Sequence, residues 1–269
     1  MGNLLHAGLS RLVRSRIFLL AVLAELAYTA LVVLVCWDHY ATGTGNYTLE
    51  SVLTAGFGLM GYLPVPSLIA APLLSLHLGA DYSDGTLRNK LIVGHTRTEI
   101  YLSDLLTCIV AAVGLDVLYL LLAGALCAYP VLGMAGTLLR VSPGQLLAWV
   151  AVGLLARAAW AAAVKLAVTL LGSRTSASIA GLLLVLAAAG ACSFGFHELE
   201  YLARHPEALN LEGRTAFWQL ALDTLPTGQY LQISRLDTPN LWRLPLLSLA
   251  VAAAVTGAGL VLFRRKDLK

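Results

Sequence analysis

The sequence predicts an all-α, polytopic membrane protein with six transmembrane helices, and three observations carry this prediction. Of the 269 residues, 58% are hydrophobic and only 12% are charged, about half the charged share of a typical soluble domain. Apolar residues occur in runs of about twenty, which is the length of a membrane-spanning helix. Lysine and arginine concentrate in alternate loops between these runs. The composition excludes a soluble enzyme, and a net charge of +3 with scattered basic residues excludes a nucleic-acid partner.

Six apolar runs are interpreted as spans. The first run, 17–37, follows an arginine cluster as a signal peptide would, but it continues for about twenty residues without an A-x-A cleavage pattern and therefore predicts a retained helix. The second run contains Pro64, Pro66 and Pro72, so a kink is expected there. Since no repeat or low-complexity segment divides the chain, residues 1–269 are expected to form one membrane domain. The six expected spans are residues 17–37, 57–78, 105–128, 146–171, 178–197 and 244–263.

The distribution of positive charge predicts the orientation of these spans. Loop 38–56 has no lysine or arginine, the third loop has Arg140 alone, and the long loop 198–243 has four arginines against six acids. By the positive-inside rule, both termini are expected to be cytoplasmic, loop 198–243 to be extracellular and the chain to lie in the cell membrane. The side that holds the termini carries eleven basic residues: Arg11, Arg14, Arg16, Arg88, Lys90, Arg97, Arg174, Arg264, Arg265, Lys266 and Lys269.

Common catalytic motifs do not occur in the sequence. It has no G-x-x-x-x-G-K-[ST] phosphate loop, no H-E-x-x-H zinc motif and no G-x-S-x-G nucleophile motif. The four cysteines fall in or beside the spans without a C-x-x-C pair, so they predict neither a disulfide framework nor a zinc site. We therefore expect no catalytic, cofactor-binding or metal-binding residue in this chain. The cysteines are Cys36, Cys108, Cys127 and Cys192.

The most informative stretch is the second cytoplasmic loop, residues 79–104. Ser83 or Asp84 is expected to cap a short helix at its start, and Gly94 can end that helix with a positive φ. Residues 96–99, with the sequence Thr-Arg-Thr-Glu, form a capping-box pattern for the next helix. The loop is therefore predicted to contain a short helix enclosed by two caps.

This short helix is predicted to be amphipathic. Leu87 and Leu91 share one face at i and i+4, whereas Arg88, Asn89 and Lys90 face elsewhere. The pattern predicts a rigid helix that lies parallel to the membrane between the second and third spans. A solvated linker would explain the basic residues equally well, but it would not explain two caps around so short an element.

The same loop resembles the signature loop of ABC-2 type transporter permeases. Members typically have an acid, three further residues, Gly-Thr-[Leu/Ile]-Arg, then a small residue before Ser/Thr-Arg and a helix with a lysine near its start. This chain departs from the pattern at Asp104, where the family usually has that lysine. The matching stretches are Gly85-Thr86-Leu87-Arg88, Gly94-His95-Thr96-Arg97 and Ile100-Tyr101-Leu102-Ser103, with looser matches in the basic N-terminal segment, Leu225-Pro226-Thr227-Gly228-Gln229 and Phe263-Arg264-Arg265-Lys266.

The resemblance implies a permease subunit of an ATP-driven transporter, most often an exporter. Loop 79–104 would be its coupling helix, seated in a groove of a separate ATP-binding subunit. Two copies of that subunit would hold ATP and Mg, and this chain would hold no cofactor. A second permease, identical or homologous, would stand beside the first, and the transported substrate stays open. The implied coupling residues are Leu87, Leu91 and Ile92 as docking face, Arg88 and Arg97 as polar anchors, and Gly85, Thr86 and Gly94.

Three other regions fit this family. Residues 3–16 alternate leucines with basic residues and predict an elbow helix in the cytoplasmic interface, although a topology signal alone would share this pattern. Loop 198–243 is expected to form short helices that dip into the outer leaflet or lie on its surface. Small residues at every fourth position predict close helix packing, either within one bundle or between two permeases. These small residues are Ala187, Ala191 and Gly195, and then Ala250, Ala254 and Ala258.

Two alternative functions remain open at this point. The first is a non-transporting membrane protein on the same scaffold, such as a self-immunity or sensory subunit. The second is a membrane enzyme that acts on lipid head groups, with His197, Glu198, Glu200 and Glu207 as its site. A soluble Walker-motif ATPase in the neighbouring reading frame would favour transport over both.

Four ionisable residues fall inside the predicted spans: Glu25, Asp116, Arg157 and Lys165. An unpaired charge at the centre of a membrane helix costs about 2.5–3.5 kcal/mol, so pairing is expected. At about 1.5 Å of rise per residue, Glu25 lies about 12 Å from the cytoplasmic face and Lys165 about 9 Å. Asp116 lies about 18 Å deep and Arg157 about 21 Å. Depth therefore predicts two pairs, Glu25 with Lys165 and Asp116 with Arg157; snorkelling of Lys165 is the alternative to the first.

Overall fold

The structure is a computed structural model that describes residues 1–42, 48–59, 63–128, 141–207 and 210–266, with the side chains of residues 39–41 left aside. The regular secondary structure of these residues is helical, apart from one isolated bridge between Leu59 and Leu63. The predicted third loop with Arg140, and Lys269 of the tail, lie outside the described residues. The helices are α1 Gly2–Val13, α2 Arg16–Thr42, α3 Leu49–Thr54, α4 Val65–Ser83, α5 Thr86–Ile92, α6 Arg97–Ala128, α7 Pro143–Leu171, α8 Arg174–Arg204, α9 Leu211–Thr224, α10 Pro226–Ser234 and α11 Leu244–Arg265.

Five of the described helices are long and apolar enough to cross a membrane. They are α2, α6, α7, α8 and α11, with mean hydropathies of 1.8 to 2.5 over their most apolar windows. Many of their large apolar side chains are exposed on the outside of the bundle, as lipid-facing helices require. These helices support a multi-pass membrane protein.

The second predicted span differs from the others in the structure. Its helix, α4, begins at Val65 and not at Phe57, so that predicted boundary is wrong; residues 60–62 lie outside the described part. Pro64 precedes the helix and Pro66 lies in its first turn, where a missing backbone N–H costs no hydrogen bond. Pro72 is inside the helix, where the sequence predicts a kink.

Helix α4 is the most enclosed of the long helices, and this explains its polar composition. It packs mainly against α8 and α7 and contacts α2 and α6 as well. Ser67, Ser75, His77 and Asp81 are all buried on it. A helix surrounded by protein does not need an all-apolar surface, so α4 falls outside the set of five apolar helices.

Helix α7 lies at the centre of the bundle. It packs along α11 and also contacts α4, α6, α8 and α10. Trp149 and Trp160 of α7 belong to the largest hydrophobic cluster, together with residues of α4 and α6. Any charged side chain on α7 is therefore enclosed by several other helices.

The predicted loop 198–243 begins as a continuation of α8, which runs to Arg204, and then folds into the two helices α9 and α10. Every residue of α10 from Pro226 to Ile233 is buried, and Trp160 donates a hydrogen bond to Thr227 at 3.2 Å. A side chain at Gly228 would collide with the backbone of Leu222, 2.4 Å from the Cβ position, so α9 and α10 can pack this closely only with glycine there. The motif Leu225–Gln229 thus forms a buried helix start.

Candidate functional site

Helix α5 connects α4 to α6 as a short, separately capped element. Gly85 precedes it with φ of 66°, and Gly94 follows it with φ of 97°, both in the left-handed region that favours glycine. The backbone N–H of Thr96 donates to Glu99 at 2.9 Å, and the N–H of Glu99 donates to the Thr96 hydroxyl at 3.2 Å. The predicted short helix and capping box are confirmed. The predicted side-chain cap at Ser83 or Asp84 is wrong, because Gly85 occupies that position without a side-chain hydrogen bond.

The leucine face of α5 points towards the chain's own bundle. Leu87 is only 3% exposed and packs in a cluster with Tyr101 and Phe263, and Leu91 packs partly against the same cluster. The prediction that Leu87 and Leu91 form a docking face is therefore corrected, because they hold α5 against α6 and α11. Amphipathicity separated the two faces of the helix but did not determine which one meets its own chain.

The end of α5 carries the exposed apolar residues. Ile92 is 82% exposed and Val93, directly after the helix, is 77% exposed. Arg88 and Asn89 are also exposed on this helix. Of the predicted docking residues, Ile92 keeps an accessible position, and Val93 was missed because it is the residue that ends the helix.

Beneath α5 lies a network of charges that joins it to three long helices. Thr86 donates to Asp81 at 2.7 Å, and the ammonium group of Lys90 donates to Asp81 at 2.7 Å and to Asp104 at 3.1 Å. Lys165 of α7 donates to the other oxygen of Asp104 at 2.9 Å. We name these residues, with Arg11, the lower network. It forms a continuous chain of contacts from α5 through α4 and α6 to α7.

Arg11 attaches the N-terminal helix to the same network. Its guanidinium group donates to Asp81, whose side chain is 1% exposed. Burial raises the pKa of Asp81, but the hydrogen bond from Arg11 and the charge of Lys90 outweigh it and hold this pKa well below its ordinary value. The same hydrogen bond raises the pKa of Arg11. Asp81 is therefore an ionised carboxylate at neutral pH.

Arg97 is half-buried and binds within the chain, and its role as an anchor for a partner stays a prediction. Its guanidinium group donates to the carbonyl oxygens of Phe263, Arg264 and Lys266, at 3.1, 3.1 and 2.6 Å. These carbonyls end α11, where a helix leaves its last acceptors unsatisfied. Arg97 thus fixes the end of α11 beside the start of α6.

A second ionic contact lies deeper in the bundle and confirms one predicted pair. Arg157 donates to both oxygens of Asp116, at 2.8 and 2.7 Å, and to the hydroxyl of Ser67 at 2.9 Å. Arg157 is 1% and Asp116 2% exposed, and the guanidinium carbon lies 5.0 Å from the ring centre of Tyr230. We name Asp116–Arg157 the mid-bundle pair. It links α6 to α7, and Ser67 extends the link to α4.

The other predicted pair, Glu25 with Lys165, is wrong. Lys165 is bound to Asp104, while Glu25 is fully buried on α2 with both carboxylate oxygens outside any hydrogen bond to the described residues. Counting residues along each span estimates how deep a side chain lies in the membrane, but it does not show towards which neighbouring helix that side chain points. The long lysine side chain also reaches an acid that lies nearer the cytoplasmic end than its own Cα.

Asp81 and Asp104 are the functional candidates that sequence reasoning missed. Asp81 occupies the acid position of the signature pattern, so the sequence did mark this residue. The pattern did not indicate that Asp81 would form ion pairs. Asp104 was taken as a departure from a family lysine. In the structure it joins Lys90 and Lys165, and its acidity is what allows the two lysines to approach one carboxylate.

The residues of the lipid-enzyme alternative do not converge. Glu198 binds Arg214, Glu200 binds Arg204 at 2.9 Å and Glu207 binds His205 at 3.0 Å, each in a separate contact. Within the described part of the chain, no group of three or more His, Cys, Asp or Glu residues is placed to hold a metal ion. No family model matches the chain, and no curated protein matches it. The site is therefore argued from its own geometry.

Proposed function

We propose that this chain is the transmembrane permease subunit of an ATP-driven transporter of the ABC-2 exporter type. In this proposal α4, the helix of the second predicted span, also crosses the membrane and completes the six spans. Both termini are cytoplasmic, and α1 is an elbow helix at the cytoplasmic interface. ATP and Mg are held by a separate ATP-binding subunit, two copies of which bind beneath two permeases. The five apolar helices and the bias of positive charge support this arrangement.

One observation carries the proposal: α5 exposes an apolar end while the rest of it is fastened to the bundle. Ile92 and Val93 are accessible to a partner, whereas Leu87 and Lys90 bind the helix to its own chain. A solvated linker needs neither the buried leucine nor the ionic contacts. A helix that transmits the movement of a partner needs both, since a loosely held helix would shift without displacing the spans.

The lower network supplies a route for that movement. A shift of α5 displaces Lys90, which is bound at once to Asp81 of α4 and Asp104 of α6. Asp104 in turn holds Lys165 on the central helix α7. Closure of the ATP-binding subunits would thus move three spans together, and this chain's residues would transmit force without performing covalent chemistry.

Exposed small residues support a second permease beside the first. Ala250, Ala254 and Ala258 lie on the outer side of α11, and only 17% of the most apolar window of that helix is buried within one chain. Ala187 and Ala191 are exposed on α8 in the same way. Such faces permit close approach of another helix in the membrane, from an identical or a related chain.

The orientation is tested by cysteine labelling in whole cells. The four native cysteines, all buried, are replaced by alanine, and one cysteine is placed at Val93 or Phe217, both of which are well exposed. A membrane-impermeant maleimide should label Phe217→Cys in intact cells and Val93→Cys only after permeabilisation. The reverse pattern would place α5 outside and contradict the proposal.

The partner is tested by site-specific crosslinking in native membranes. A photo-reactive amino acid at Ile92 should join a protein whose sequence contains a Walker phosphate loop, identified by mass spectrometry. The same amino acid at Phe217, on α9, serves as the matched control and should not reach that protein. Absence of a nucleotide-binding protein at Ile92, in membranes that contain the neighbouring ATPase, would favour the non-transporting alternative.

A further inference from the structure

A large cavity lies between α8, α9 and α10, far from α5. Arg174 at the start of α8 binds Asp84 beside α5, whereas the cavity is lined by the last turns of α8, about 30–45 Å further along the helix. Its volume is about 690 Å³, within the usual range of small-molecule sites. Apolar side chains of α8 and α9 form much of its wall: Phe196, Leu199, Leu202, Ala203, Leu211 and Leu222.

The charged residues of this cavity leave an excess of acid. Glu200 is bound to Arg204 at 2.9 Å, and the guanidinium group of Arg235 lies 4.3 Å from the ring centre of Phe196. Asp223 and Asp237 supply two further carboxylates. Since Arg204 neutralises Glu200, the charges left on the lining are the carboxylates of Asp223 and Asp237 and the guanidinium group of Arg235, which is an excess of one acid.

Asp223 is the most enclosed of these acids. It is 4% exposed and accepts hydrogen bonds from the side-chain amides of Gln232 at 3.2 Å and Asn240 at 3.3 Å. Among the described residues, no lysine or arginine forms a salt bridge with it. Burial raises the pKa of this carboxyl group, and the hydrogen bonds from Gln232 and Asn240 and the charge of Arg243 offset this only in part.

Gln232 provides independent evidence that a hydrogen-bond donor is missing from the cavity. Its amide nitrogen binds Asp223, which fixes the orientation of the amide group, and its oxygen Oε1 is buried without a hydrogen-bond partner. The residue is 3% exposed and lines the cavity. A buried acceptor without a hydrogen bond costs free energy. A ligand that donates a hydrogen bond to this oxygen would remove that cost and bind more tightly.

We propose that this cavity binds an amphipathic organic cation, namely a protonated amine or guanidinium group attached to an apolar body. The cationic head donates hydrogen bonds to Gln232 Oε1 and Asp223, and the apolar body lies against Phe196, Leu199 and Leu222. An anion would meet the excess of carboxylates, and a neutral apolar molecule would leave Gln232 unsatisfied. The site needs no ATP-binding partner and stands apart from the proposed coupling at α5.

The proposal is tested by titrating the purified chain with three soluble probes of one shape. These are 1-naphthylmethylammonium, 1-naphthylmethanol and 1-naphthylacetate, measured by calorimetry in nanodiscs of phosphatidylcholine. The ammonium probe should bind with one site per chain and at least about tenfold more tightly than the other two, as expected for a charge-assisted hydrogen bond. Equal binding of all three would show an apolar pocket without charge preference and would overturn the proposal.

Two variants locate the binding. Asp223→Asn keeps the shape and removes the charge, so it should weaken the ammonium probe about tenfold, while Glu212→Gln, an exposed acid on the same helix, should leave binding unchanged. Ala203→Trp places a large side chain at an exposed position of the cavity wall and should abolish binding of the ammonium probe by filling the space. If Asp223→Asn does not fold, Ala203→Trp decides alone, and unchanged binding in that variant contradicts the site.

The ammonium group of a lipid head shares this chemistry with a free amine. Nanodiscs that contain phosphatidylethanolamine separate the two sources, because a lipid that occupies the cavity must weaken the ammonium probe in proportion to its content. Unchanged affinity assigns the cavity to a free cation, and competition assigns it to the lipid amine. Since no ATPase is present, this result is independent of whether the chain proves to be a transporter.

Discussion

The mid-bundle pair and the lower network join the same two helices, α6 and α7, in different ways. Arg157 donates two parallel hydrogen bonds to Asp116, and both side chains are at most 2% exposed. The lower network is a series of single contacts through Asp81, Lys90 and Asp104, and the side chain of Lys90 is 22% exposed. A bidentate, enclosed pair resists displacement, whereas single ammonium contacts can re-form as helices move. In the proposed coupling, the first contact fastens the bundle and the second transmits movement to it.

The largest effect is expected when the mid-bundle pair is broken. Asp116→Asn leaves Arg157 buried without its anion, which costs about 3–5 kcal/mol. For a domain of this size that loss lowers the melting temperature by at least about 6 °C, measured by thermal unfolding in detergent. Asp116→Asn combined with Arg157→Gln should recover much of the folded yield, because neither charge remains. A double-mutant cycle without coupling energy would contradict the pair as a structural contact.

A smaller loss is expected when the lower network is cut at its deep end. Lys165→Met removes the charge while keeping the length of the side chain, and Asp104 retains Lys90 as its partner. The expected cost is about 1–2 kcal/mol by the same thermal measurement. A loss equal to that of Asp116→Asn would mean that both contacts fasten the bundle, and the distinction between them would fail.

The two contacts also differ in how far the sequence predicted them. Asp116 and Arg157 lie at the same depth in consecutive spans, and both are too deep to reach water, so depth alone predicted their contact. Lys165 was assigned to Glu25 by the same reasoning and wrongly, because its long side chain reaches the more cytoplasmic Asp104. Sequence depth is therefore informative for side chains at the centre of the membrane and uninformative for long ones near an interface.

The short helix α5 shows a similar division. Gly94 with a positive φ and the capping box are local features, so the existence of α5 and its C-terminal end followed from the sequence, whereas its N-terminal cap at Gly85 did not. The direction of its leucine face depends on α6 and α11, which are distant in the chain, and the sequence carries no local record of them. The start of α4 at Val65 was missed for the opposite reason, because the apolar run begins before Pro64 and Pro66, which lie at the start of the helix.

The smallest effect concerns pH. The pKa of Asp81 in the folded chain lies below its unfolded value of about 3.9, so its stabilising contribution is complete above about pH 4 and is lost only as pH falls through the folded value. Hydrogen exchange of α1, corrected for intrinsic rates, should therefore be the same at pH 5 and pH 8. Asp81→Asn should increase exchange in α1 and α5 at both pH values. Asp84→Asn, an exposed neighbour bound to Arg174, serves as control and should leave α1 unchanged.

The central claim, that α5 receives an ATP-binding subunit through its exposed end, has one direct measurement. The tagged chain is purified from native membranes, and the Mg-ATP hydrolysis that it retains is compared for Ile92→Asp and Phe217→Asp. Both changes place one carboxylate at an exposed apolar position, so neither should alter folding. Ile92→Asp should lose the retained hydrolysis, while Phe217→Asp should keep it. Equal hydrolysis in both variants, or none with the unaltered chain, would show that α5 does not receive an ATP-binding subunit at Ile92.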